Sequence, residues 1–383
     1  MQENKTKSPL KTKISSAVKY ALGNAPVFCF VAFALGLLAL AVRLVCRVHP
    51  AFADFFVRYI AGGVRFVFAS VSNLVPFSVA EIFVLLSPFL LALLIFLAVR
   101  FSREKRKAFR YAMTILSLIA LLYFFFVFTF AAGYHTSAVA DDFDLSVEEV
   151  TATELKETAL WLAYVAGQYA DDIEYTYGKA TKMPFAWKEM TQKLNDSYSD
   201  LNEKYDFILN YYTAAKPVIF SRAMSYTNIL GVHTFFTGEA NVNTTYPDYT
   251  TVFTAAHEMA HQRGVAKENE ANFVAFMVCI NSADDYIKYC GYVNMYEYVI
   301  SALHKADSAY YVEVIMATDD RIRAELGAYA EVYDKYDDTP IDNVSSAINN
   351  TYLEMQGTEG TKSYGMVVDL AVAYYKSLSL CQK

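Results

Sequence analysis

The sequence predicts a mainly α protein: N-terminal transmembrane helices, then a mostly helical domain with a small strand or loop region. Three observations predict it. The 383 residues are 55% hydrophobic and 16% aromatic, too apolar for an ordinary soluble chain. Charge is divided unevenly, with 15 Lys and Arg against 4 Asp and Glu in residues 1–134, and 18 against 36 in the remainder. Long uncharged runs are confined to the first part, while apolar residues later recur at helical spacing. The expected division is a membrane anchor over 1–134 and a second domain over 135–383, long enough for one or two packed cores.

Residues 1–19 are polar and basic, with Lys5, Lys7, Lys11, Lys13 and Lys19, and no convincing small-residue cleavage site follows, which reads as an anchor. Residues 20–42 make a first span by length. Residues 46–80 mix Phe55, Phe56, Phe66 and Phe68 with Asp54, Arg58 and Arg65 around Gly62-Gly63. They read as an interfacial amphipathic segment, with a partial re-entrant hairpin as the alternative. Spans two and three fall at 82–99 and 111–134. Between them lie Arg100, Arg103, Lys105, Arg106, Lys107 and Arg110. Positive charge marks the cytoplasmic side, so three spans place everything after Tyr134 outside. The bilayer is the expected partner. Nucleic acid is not, since its recognition needs basic contacts.

The second part opens on two capping-box patterns, Ser146/Glu149 and Thr151/Glu154, before a helix over 155–169. Helical spacing runs over 187–212, a further helix over 216–229, and others over 284–305, 308–326, 341–355 and 363–379. Residues 234–252 are rich in Gly, Asn and Thr and read as loop or strand. Of five cysteines, Cys279 and Cys290 either bridge in an extracytoplasmic domain or stay as buried thiols, the commoner outcome.

The chemistry sits at His257-Glu258-Met259-Ala260-His261. On a helix, positions i and i+4 share a face, so both imidazoles can address one ion, and the glutamate beside them can handle a water proton. This is the zincin arrangement: two His ligands to one Zn2+ and Glu258 as general base. Arg263, Lys267, Glu268 and Glu270 follow at once, so the motif helix is not itself membrane-spanning. Position 267 is Lys, which excludes a metzincin third histidine. Glu268, Ala271 and Asn272 match the gluzincin register E-x-x-[AS]-[DN], in which the Glu binds metal and the Asn supports a ligand histidine. Glu270 is the competing ligand. Candidates for stabilising a tetrahedral oxyanion are His233, Arg263, His304 and Tyr364. Gly238-Glu239-Ala240-Asn241 suits either an edge strand that pairs with a peptide substrate or a structural loop.

The runs Phe236–Asn243, His257–Gly264 and Glu268–Phe273, with Leu74-Val75-Pro76-Phe77-Ser78 and Lys362-Ser363-Tyr364-Gly365, resemble a bacterial family of multi-span membrane proteins with a zincin-like domain and no established substrate. The resemblance covers most of the chain. It implies a multi-pass protein of the bacterial cytoplasmic membrane with an extracytoplasmic metallopeptidase-like domain. The expected activity is zinc-dependent hydrolysis of peptide bonds in a peptide or protein substrate. The alternative is a membrane sensor or assembly factor that retains the zincin fold and its zinc.

Overall fold

The computed structural model describes residue 20 and residues 23–380; of positions 363, 364, 379 and 380 only the backbone is described. The basic segment 1–19 and Cys381 lie outside the described residues. The chain is mainly helical and forms two compact units, one of residues up to 44 with 82–127, the other of 45–81 with 128–383.

Four described helices are long and apolar enough to cross a membrane: α1 (Val27–Val48), α2 (Pro50–Ser72), α3 (Val79–Ser102) and α4 (Lys105–Thr129). Three were expected. Within the first unit the helices pack closely. A Cβ on Gly36 would lie 3.1 Å from Ala120 Cβ, the small-residue contact that lets membrane helices approach. The Tyr111 hydroxyl of α4 donates to Leu94 O of α3 at 2.7 Å.

Helix α2 departs most from expectation. Its sequence position groups 46–80 with the anchor, but the segment packs with 128–383. Its inner face, Ala53, Phe56, Val57, Ala61, Arg65, Ala69 and Ser72, is buried at three-to-four-residue spacing. A π-helical turn over Phe56–Ala61 lies in the middle of the helix. Both ends are tied to the same unit. Asp54 accepts from Ser137 N and Oγ at 2.9 and 2.8 Å. Lys216 Nζ donates to Ser72 O at 2.8 Å. The third expected span ends at Thr129, and Ala131–His135 continues as a 3-10 turn.

The second unit continues with α5 (Ala152–Ala170), which starts on the Thr151/Glu154 capping box, and α6 (Trp187–Lys204). The helix expected over 187–212 stops at Lys204. Tyr205 and Ile208 keep the apolar spacing, yet they pack on the core from the turn that follows the helix. The helix expected over 216–229 is instead strand β1 (Ala215–Pro217) and a short helix, Ser221–Ser225. With β2 (Gly231–Thr234) and β3 (Glu239–Val242) it forms a sheet of order β1-β3-β2. β1 runs parallel to β3, and β2 runs antiparallel with His233 opposite Ala240. The Gly238–Asn241 stretch therefore enters the central strand, and β2 is an edge. β3 is buried throughout because its polar side chains have internal partners. Glu239 accepts from Lys216 Nζ at 2.5 Å and from Val79 N and Ala80 N at 2.9 and 2.8 Å.

Under the sheet runs α7 (Asp248–Arg263), buried from Tyr249 to its end, followed by α8 (Glu268–Ile280) and α9 (Asp285–Ala306). The 308–326 stretch divides at Thr318-Asp319 into α10 (Ser308–Ala317) and α11 (Asp320–Tyr336), and α12 (Pro340–Gln356) and α13 (Val367–Leu380) complete the unit. Cys279 and Cys290 are buried free thiols, not a bridge.

Candidate metal centre

Helix α7 carries both motif histidines, and its end builds the rest of the site. It has no side-chain cap at its start: Asp248 Oδ2 accepts from Met183 N instead, at 3.0 Å. It stops at Gly264, whose φ of 105° favours glycine. Gly264 N donates to His261 O at 3.0 Å and Val265 N to Ala260 O at 3.2 Å, the paired bonds of a Schellman motif. This turn returns the Val265 carbonyl to His261 Nδ1 at 2.7 Å. The bond fixes that ring with Nδ1 as donor and leaves Nε2 for the site. Two residues later α8 begins, with Glu268 in its first turn.

Three side chains converge there. Glu268 Oε2 lies 3.2 Å from His257 Nε2 and 3.5 Å from His261 Nε2. One ligand atom from each of the three lies within 4.8 Å of the others, a grouping that could hold a metal ion. The imidazoles stand nearly perpendicular, with centroids 4.6 Å apart. Burial alone would raise Glu268, but the two imidazoles hold it well below the usual carboxylate range. Burial would lower His261, yet Glu268 brings it to about 9. Glu270 is engaged elsewhere, accepting from Val139 N at 3.2 Å and Lys267 Nζ at 3.0 Å. Glu268→Gln is therefore expected to lose metal, and Glu270→Gln to keep it while loosening the 136–139 turn. Metal content measured after gel filtration decides; loss confined to Glu270→Gln reverses the assignment.

Glu258 is buried beside the cluster with Oε2 unpartnered. Desolvation pushes its carboxyl up to about 7, against the pull of His257, His261 and the His233 backbone N–H. Edge strand β2 sets its position. A Cβ on Gly231 would stand 2.5 Å from Glu258 Oε1 and 2.7 Å from its Cγ. Gly231→Ala should destabilise the unit by about 1–3 kcal/mol, as overpacking does, and an unchanged thermal midpoint would show that β2 can withdraw freely.

Of the four donor candidates, His233 reaches the site. It follows Gly231 by two on β2, so both face α7. Its ring lies 6.3 Å from that of His261, and neither ring nitrogen has a partner. Burial pushes it down to about 3, so the ring is neutral. Arg263 faces away, donating to Asn195 Oδ1 and Tyr211 O at 2.9 Å each, with its guanidinium 3.9 Å from the Tyr198 ring centre. His304 is exposed and its ring lies tilted against Tyr311. The Tyr364 side chain lies outside the described residues. Asn272 faces the Tyr298 hydroxyl, and His257 Nδ1 has no partner, so the expected Asn272 support of a ligand histidine is absent among the described contacts.

Three residues near the site carry no sequence signal. Tyr298, from α9, stands next to Glu268 and Asn272; one of 30 tyrosines, it could not be singled out by type. Phe130 packs edge-on to His261 at 5.4 Å and against His233 at 5.5 Å. Arg65 of α2 donates to Val57 O at 2.6 Å and reaches Arg263 O at 3.5 Å, at the carbonyl end of α7. Pairings across 198 residues leave no local pattern.

These features define a mainly helical, membrane-associated protein with a buried His-His-Glu cluster beside a second acidic side chain. The chain belongs to the family described as "Protein of unknown function (DUF3810)", which matches residues 56–372. No curated protein and no solved structure matches it.

Proposed function

We propose that this protein is a membrane-anchored, zinc-dependent metallopeptidase of gluzincin type. The observation that carries the reading is the convergence of His257 Nε2 and His261 Nε2 on one Glu268 oxygen with Glu258 alongside. The donor set of two imidazoles and one carboxylate fits zinc in a site with an open position. When bound, zinc would supply Lewis acidity toward a water and a peptide carbonyl. Glu258 then accepts the proton that water gives up as it attacks the carbonyl carbon, and returns it to the amine nitrogen as the C–N bond breaks. A carboxyl poised near 7 suits both transfers. His233, neutral and unpartnered, offers an N–H to the oxyanion. The backbone of edge strand β2 would pair with an extended peptide. The test is cleavage of a peptide library by the full chain in nanodiscs, abolished by a chelator and restored by zinc. Cleavage indifferent to the chelator would remove the reading.

The alternative, a sensor or assembly factor with the same zinc site, draws on one observation: His257, Glu258, His261 and Glu268 are each no more than 9% exposed. Catalysis requires that this site open.

For topology, we propose three crossings and an extracytoplasmic metal unit in the bacterial cytoplasmic membrane. Helix α2 is bonded at both ends to the unit that bears the site, so it lies along that unit instead of leaving it. With α2 discounted, the Arg100–Arg110 cluster falls inside and 128–383 outside. Reporter fusions at 105 and 383 should report opposite sides; the same side for both would overturn this.

A further inference from the structure

We infer that the unit carrying the metal cluster seats on the bilayer through the outer face of α2, and that the site acts on peptides held at that surface; the second half rests on the peptidase reading.

Helix α2 has two faces. The inner one is buried against the unit. The outer one is apolar and open, with Phe55, Tyr59, Phe66 and Val71 each between 51% and 62% exposed. The face continues into Leu74, 80% exposed. The charges of α2 are turned away from it or engaged by the unit. Arg65 is buried, Arg58 pairs with Asp206 at 2.6 Å, and Asp54 is held by Ser137. An open apolar face of this size marks an interaction surface.

Chain continuity identifies the occupant as lipid. One residue, His49, separates α2 from α1, and six separate it from α3. Glu81, in the first turn of α3, accepts from Ile219 N and Phe220 N at 3.0 and 2.7 Å. The exposed Ile219 and Phe220 side chains are thus held at the start of an apolar helix. An amphipathic helix between two spans lies in the interface with its apolar face in lipid.

The cluster lies directly behind this face. Arg65, on the inner side of α2, reaches the carbonyl end of the helix that carries His257 and His261. Phe130, the residue after α4, touches the His261 ring. One helix thickness of about 10 Å therefore separates the bilayer from the site, which an extended peptide crosses in roughly three to six residues. The substrate class is a peptide attached to a lipid or transmembrane anchor and cut close to it.

The test uses the full chain in vesicles and has two arms. An environment-sensitive fluorescent amino acid is placed singly at Phe55, Phe66 or Phe220, and at Tyr177 as control. Tyr177 belongs to the loop that bonds Asp248 at the opposite end of α7, which is about 24 Å long. Brominated phospholipid should quench the first three positions and spare the fourth. Absence of quenching at 55, 66 and 220 overturns the docking face, whatever the activity; quenching that appears only once the protein is diluted in the bilayer would assign the face to a second copy and overturn it too. In the second arm a randomised peptide is offered free, joined directly to an acyl anchor, or joined through a flexible spacer of about 30 residues. Direct anchoring should accelerate cleavage on the order of 10²-fold over the free peptide, and the spacer should abolish most of that gain. Equal rates for spacer and direct anchoring overturn the substrate class. Quenching without cleavage of any peptide removes the peptidase reading and the substrate class with it, while the docking face stands.

Discussion

Glu258→Gln is expected to bind zinc at the wild-type level and to lose peptide hydrolysis by about 10²–10⁴-fold, the usual scale of general acid–base catalysis. Glutamine has the same shape, so it fits the space between Gly231 and the ligand pair, where a single added carbon on Gly231 would already collide with the side chain. It lacks the one property the proposed reaction needs, an oxygen that takes up a proton near neutrality. His257→Ala serves as the contrast, since it removes a ligand and should lose metal and activity together. Metal content by mass spectrometry and turnover by peptide cleavage separate the two effects. Wild-type turnover in Glu258→Gln would exclude this residue as the base. Normal cellular function of the same variant would favour the sensor or assembly reading, for which the carboxylate is dispensable.

The largest structural effect is expected at Lys216 and Glu239. Their side chains are 2% and 0% exposed, and together they hold Ser72 O and the first two N–H groups of α3. Lys216→Met should destabilise the unit by about 3–5 kcal/mol, because it leaves a buried carboxylate without its counter-charge. Lys216→Met combined with Glu239→Gln should recover part of that loss, since the amide keeps one acceptor for the α3 N–H groups and carries no charge. Unfolding of a membrane protein is commonly irreversible, so the readout is the temperature at which half the protein becomes protease-sensitive. A double variant as unstable as the single one would show that hydrogen-bond geometry, and not charge balance, holds the join.

Where the sequence was legible, the physics was local. His257 and His261 stand one helical turn apart, and no other part of the chain decides whether they share a face. The choice between Glu268 and Glu270 was nearly as local. It depends on the Gly264 turn, whose length delivers the first residue of α8 to the histidines and turns the third toward Lys267 and Val139. What the sequence hid is long-range. Apolar spacing continues from α6 through Tyr205 and Ile208 although the helix has ended, because the turn after it buries the same residues. The sheet order puts Glu239 in a central strand only because Lys216, 23 residues earlier, neutralises it there. Nothing near Phe130 or Gly231 in the sequence points to His261 or Glu258.

The unit that bears the His-His-Glu cluster is interrupted in the chain by two of the long apolar helices, and this sets a timetable for its assembly. Residues 45–81 are synthesised first, yet the partners of Asp54 and Ser72, and the Arg263 carbonyl that Arg65 reaches, lie beyond residue 128. At 5–20 residues per second, roughly 15–60 s separate the completion of residue 81 from that of residue 383. During that interval α2 has neither its inner packing nor its ion-pair clasp, and its apolar outer face must wait in the lipid interface. Helix α7, finished later, acquires the guanidinium at its carbonyl end from a segment already parked at the membrane. A fragment that begins after the last span would fold without that guanidinium and without the N–H groups that Glu239 receives.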